Sequence, residues 1–164
     1  MFIQGSTVAH SRHGIGTIRA IEEREILGAK AVFVTMHFER EGLNLTVGQK
    51  SLESQTRDVL TEAEGEKIMQ HLASSEEALS GDWKTRNKGN QERLTSGDPY
   101  QLCEIIRGLG ALKKKRGELS NTDRAQLARA LDLLSEELTI ALEKTSTEEM
   151  LAEIIVASHI AVPA

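Results

Sequence analysis

The chain has 164 residues, 39% of them hydrophobic and 27% charged, a balance that suits one soluble domain or two small ones and excludes a disordered chain. No apolar run approaches the roughly 18 residues of a membrane span. The opening MFIQGSTVAH lacks a basic segment followed by an apolar one, so no secretory signal is expected. The lone Cys103 excludes an internal disulfide framework and fits a reducing cytoplasm.

Residues 1–60 read as β. Val32, Val34, Met36 and Phe38 alternate with Ala31, Phe33, Thr35 and His37, and Leu43, Leu45 and Val47 alternate again. This period of two marks half-buried strands. Gly14, Gly16, Gly28, Gly42 and Gly48 punctuate the segments and are read as turns. Short strands leave exposed edges unless the sheet curls, so a small barrel or strongly bent sheet is expected.

From Thr61 onward the texture is helical. Thr61 and Glu64 form a capping-box pattern ahead of Ile68, Met69 and Leu72. Asp98-Pro99 is a cap followed by proline at the first helical position, with Leu102, Ile105, Ile106, Leu109 and Leu112 on one face behind it. A longer helix is predicted from near Ser120, with the stripe Leu127, Leu131, Leu134, Leu138 and Leu142. Ser146 and Glu149 suggest another capping box before Met150, Leu151, Ile154 and Ile155, and from about Ser158 the chain is expected to fray. The whole is an α+β chain of two domains, a β domain over residues 1–60 and an all-α helical domain over 61–164.

The net charge of −5 conceals a division. Trp83 to Arg116 holds nine Lys or Arg against three Asp or Glu, a net of +6, which leaves −11 on the remainder. A basic island in an acidic protein is compatible with a local nucleic-acid contact, and the acidic remainder argues against indiscriminate DNA coating. The only tryptophan, Trp83, sits inside that island with Lys84, Arg86 and Lys88 beside it. Such a setting is odd for a core residue and ordinary for a contact residue.

Chemistry is harder to find. His10 and His13 lie in a glycine-bounded strand or turn with no nearby Cys or carboxylate to complete a metal site. The HGIG stretch at 13–16 precedes a strand and not a helix, so it reads as a turn rather than a phosphate loop. Cys103 belongs to a helix and lacks a neighbouring His, which points to a packed thiol. Lys113, Lys114, Lys115 and Arg116 end a helix, where cations complement its dipole. No enzyme, metal or cofactor is expected.

The stretch W83-x-x-R86-x-K88-x-N90-Q91-E92-x-L94-x-S96-G97-D98 leads into an amphipathic helix with Arg107. With V8 through H13-G14, then A20-I21-E22-x-R24 and Gly28, and R57-D58-V59 before the first helix, it resembles the CarD/CdnL family of bacterial RNA polymerase-binding transcription regulators. The resemblance spans nearly the whole chain. It implies a Tudor-like β domain that docks on the RNA polymerase β subunit and a helical domain that touches promoter DNA. In that family a tryptophan wedges at the upstream edge of the transcription bubble, without strong sequence specificity and without catalysis. By resemblance Trp83 takes the wedge role, Lys84, Arg86 and Lys88 stand beside phosphates, and Arg24 falls at a polymerase contact. The expected state is a cytoplasmic monomer, nucleoid-associated through polymerase and away from membranes.

There are departures from the family pattern. His10-Ser11 stands where members commonly have Tyr-Pro, Thr46 aligns with a polymerase-contacting arginine, and Gly48 aligns with a proline. These put the polymerase contact in question more than the DNA contact. An interaction module of the same fold without a DNA role, and a free-standing DNA-binding protein, are the competing readings. A buried Trp83 favours the module and an accessible one the wedge.

Overall fold

The computed structural model of the chain describes residues 2–74 and 82–159. The chain divides into two compact units, Met1–Val59 and Leu60–Ala164.

The first unit runs β1 (Thr7–His10), β2 (Gly14–Ile26), β3 (Ala29–Phe38), β4 (Leu43–Gly48), the short helix α1 (Gln49–Glu53) and β5 (Thr56–Asp58). They form one antiparallel sheet in the order β4-β3-β2-β1-β5. The alternation in β3 puts Val34, Met36 and Phe38 in the interior, where they meet Val8, Ile18 and Leu52. Among the described residues the sheet is open, with β4 and β5 at its edges and no pairing that closes it into a barrel. One bulge interrupts the pairing: the β2–β3 register shifts between Ile18 and Ala20, a feature that bends a strand locally. The extra residue, Arg19, lets Ile18 stay opposite Met36 while Ile21 stays opposite Val34.

Gly14, Gly28 and Gly42 are turn residues with φ of 80°, 80° and 61°. Gly16 and Gly48 are not, which corrects the turn reading. Gly48 caps α1 with φ −61°. Gly16 lies inside β2, where a Cβ would come within 2.6 Å of Met36 Cε and 2.7 Å of Phe38 Cε1. Its lack of a side chain is thus a packing requirement. Gly16→Ala is expected to destabilise the β unit by about 1–3 kcal/mol through overpacking, read as a lower denaturant midpoint; an unchanged midpoint would refute this account.

The second unit runs α2 (Glu62–Ala73), α3 (Trp83–Thr95), α4 (Pro99–Arg116), α5 (Asn121–Ala141) and α6 (Thr147–Ala157). The stops and starts follow from their caps. Thr61 and Glu64 complete a capping box on α2, and Asp98 accepts from the Tyr100 N–H ahead of α4. Ser120 accepts from the Asp123 N–H to open α5. At α6 only half of the expected box is built: Ser146 accepts from the Glu149 N–H, but the Glu149 carboxylate accepts from Thr145 N–H at 3.2 Å. The apolar stripes meet in one core that includes Ile68, Leu72, Ile105, Ile106, Leu109, Leu134, Leu138 and Met150. Gly65 allows α2 to approach the end of α5 closely, since a Cβ there would lie 3.0 Å from Leu142 and 3.3 Å from Ala141. Ser158 is buried and donates to Ile154 O at 2.7 Å; residues 160–164, to which the fraying expectation extends, lie outside the described residues. Among the described residues no helix is long and apolar enough to cross a membrane.

Candidate functional site

The strongly polar helix α3 has one buried row. Arg86, Asn90 and Leu94 recur at intervals of four, and all three are buried. Trp83 begins the helix one turn before Arg86, at the head of the same row by spacing. Yet Trp83 is 59% exposed, against 8% for Leu94 at the other end. The row outruns its packing partners, and the helix tip therefore carries a large indole into solvent.

The neighbours of Trp83 separate into two kinds. Lys84 and Lys88 are exposed and one turn apart, which puts them on one outward face. The Lys84 ammonium lies 5.5 Å from the Trp83 ring centroid, within the range of a cation–π contact. Arg86, expected to stand beside phosphates with them, is placed otherwise. It is 3% exposed, and its Nε and Nη2 donate to the two carboxylate oxygens of Asp123 at 3.0 and 2.9 Å. Its four-residue spacing to Asn90 turns it inward, so it holds α3 onto α5 and does not face solvent. The signal that turns Arg86 inward is the 86–90–94 row itself, though that row does not name the partner.

Asp123 lies in the first turn of α5 and also accepts from the Ser120 hydroxyl at 2.9 Å. Burial acts to raise its pKa, but the hydrogen bonds from Arg86 and Ser120 and the guanidinium charge outweigh this and hold it below the usual carboxylate value. Gln126 Nε2 donates to Asn87 O at 3.0 Å, a second tie between α3 and α5. At the helix start Thr85 donates to Asp82 Oδ2 at 2.7 Å. Lys113 to Arg116 form the last turn of α4, which closes on Gly117 at φ 81°. Cys103 is fully buried, and desolvation pushes its thiol up to about 12, which removes any thiolate at neutral pH.

The β unit brings its two candidate docking residues to one face. Arg24 pairs with Ala31 across the β2–β3 ladder, and Thr46 pairs with Thr35 across β3–β4. Ala31 and Thr35 are an even number of residues apart on β3, so both partners project from the same side, about 13 Å apart along the strand. Arg24 stacks 5.2 Å from the Phe33 ring centroid and donates to Glu22 Oε2 at 3.0 Å. Thr46 Oγ1 lies 2.8 Å from Thr35 Oγ1, and its strand β4 is a sheet edge. His10 is buried, its Nδ1 accepts from the backbone N–H of Arg12 and of His13, and its Nε2 meets Gln55 Oε1 at 3.2 Å. Those contacts organise the turn, and burial foremost keeps the imidazole pKa below its ordinary value. His13 meets Glu41 at 2.9 Å. Among the described residues no group of three or more His, Cys, Asp or Glu is arranged to hold a metal ion.

Both units match family models. Residues 2–60 match the CarD-like/TRCF RID domain, and residues 67–156 match the CarD C-terminal domain. The chain is also similar to a protein of Bacillus subtilis (strain 168) described as "Putative transcription factor YdeB". The two are 28% identical over 141 residues, covering 85% of this chain and 92% of that protein.

Proposed function

The chain belongs to the CarD family of transcription regulators, and from that premise we propose that it docks on the RNA polymerase β subunit and stabilises the open promoter complex without catalysis. The observation that carries the reading is Trp83, 59% exposed at the first residue of α3 with Lys84 over its ring. An exposed indole at a helix tip can stack on an unpaired base or wedge into an opened step. Lys84 and Lys88 supply phosphate contacts that position without reading sequence. The partner is promoter DNA held near by polymerase, so weak intrinsic affinity for DNA suffices.

The β unit supports the docking half of the proposal. Among the described residues β4 is an edge strand suited to strand addition, with Thr46 on it and Arg24 on the same face of the sheet two strands away. The Arg24–Glu22 pair is exposed and therefore worth little, so Arg24 can exchange that partner for an acidic group on polymerase. The accessible Trp83 with Lys84 and Lys88 on the same helix tip favours a DNA contact over a pure interaction module.

The test is co-purification with core polymerase. The full chain is expected to be retained, Arg24→Glu to be retained roughly tenfold less well, at about 1.4 kcal/mol, and Thr46→Arg to be retained better. Retention of residues 61–164 alone at the level of the full chain would overturn the docking assignment.

A further inference from the structure

A groove of about 650 Å³ lies between α2 and α6. Its apolar lining includes Met69, Leu142 and Val156, and Val156 is 73% exposed on α6. Its rim is acidic: Glu62 and Glu66 stand on α2 and Glu153 on α6, with Lys144 paired to Glu153 at 3.0 Å. On α2 the residues Glu62, Glu66 and Met69 follow helical spacing along one side, and on α6 Glu153 and Val156 do the same. Helix α3, which carries Trp83, packs instead on α4 and α5.

We propose that this groove is a docking site for a basic amphipathic helix of a partner protein. The size falls in the range of ligand-binding clefts. An apolar floor takes the apolar face of a helix, read as anchors at i, i+3, i+4 and i+7. With Glu153 already paired to Lys144, Glu62 and Glu66 leave the rim net negative and select lysine and arginine on the flanks of that helix, whereas acidic flanks are repelled. An acidic or purely apolar segment leaves Glu62 and Glu66 desolvated without a counter-charge. The groove lies on a different helix pair from the Trp83 tip, so a partner seated there and DNA at α3 use separate elements of the unit.

The probe is a fluorescein-labelled 14-residue peptide with leucine at the anchor positions and lysine on the flanks, titrated into the full chain and followed by anisotropy. Saturable binding is expected, weakened roughly tenfold or more by Val156→Lys or Glu66→Lys and changed less than about twofold by Glu118→Lys, an exposed acidic site outside the groove. Circular dichroism melts confirm that each variant is folded; Val156→Ala provides a milder groove variant if the lysine form melts early. Equal binding of a scrambled peptide, or equal weakening by Glu118→Lys, would mean general charge attraction and overturn the proposal. If only a chain ending at His159 bound the peptide, the groove would be occupied by the protein's own end, and the partner proposal would also fail.

Discussion

Replacing Trp83 with alanine is expected to shorten the open-complex lifetime by about 5- to 100-fold, from roughly 1–3 kcal/mol of base stacking at about 1.4 kcal/mol per decade. The effect expected is differential stabilisation. Polymerase at a promoter interconverts between closed and melted states, and a bound factor shifts that balance only by contacting one state better. The indole can do so because it is 59% exposed and stands at a helix tip, free of the packing that fixes Arg86, Asn90 and Leu94 behind it. For the same reason the substitution removes little from the folded protein. A surface change of this kind alters stability by less than about 0.5 kcal/mol, so the melting temperature and retention on polymerase are expected to stay near those of the parent. The measurement is the decay of heparin-resistant complexes on several promoters, with the variant shown to be folded and polymerase-bound. An unchanged lifetime under those conditions would rule out the wedge.

Much of this arrangement is legible from residue order because local physics decides it. The alternation of Val34, Met36 and Phe38 has one buried solution, and the caps at Thr61, Asp98 and Ser120 start helices where hydrogen-bonding side chains meet unsatisfied N–H groups. Trp83 is legible because its sequence neighbours offer nothing apolar to bury it. What escapes the sequence depends on distant partners. Helix α1 has five residues with one buried leucine, and β5 has three residues that become a strand only by pairing with β1. Gly16 reads as a turn glycine until Met36 and Phe38 are brought over it from β3. Arg86 reads as a phosphate contact because Asp123, 37 residues later, is invisible to a local reading. A charge run in sequence thus divides in space, with Lys84 and Lys88 outward and Arg86 inward.

That division makes the Arg86–Asp123 pair the second large effect. Asp123→Ala is expected to cost the helical unit about 3–5 kcal/mol, because it leaves a buried guanidinium without its counter-charge. Arg86→Lys should also be damaging, since a single ammonium cannot reproduce two parallel bonds to the carboxylate. Replacing both residues together, Arg86→Met with Asp123→Leu, is expected to recover most of the loss by substituting apolar packing for the desolvated pair. The pair also gives the unit an acid limit. The folded-state pKa of Asp123 lies below its ordinary 3.8, so its contribution is present above that value and is lost as pH falls through the lower folded-state value. Urea unfolding of the parent should therefore weaken below about pH 4 more steeply than that of the double variant, although other carboxylates contribute to both. Because α3 rests on α5 through this pair, Asp123→Ala should shorten open-complex lifetime only together with a fall in stability, whereas Trp83→Ala should shorten it alone. If Asp123→Ala left the urea midpoint unchanged, Arg86 would have no structural role in holding the tryptophan helix, and the phosphate reading of that residue would have to be restored.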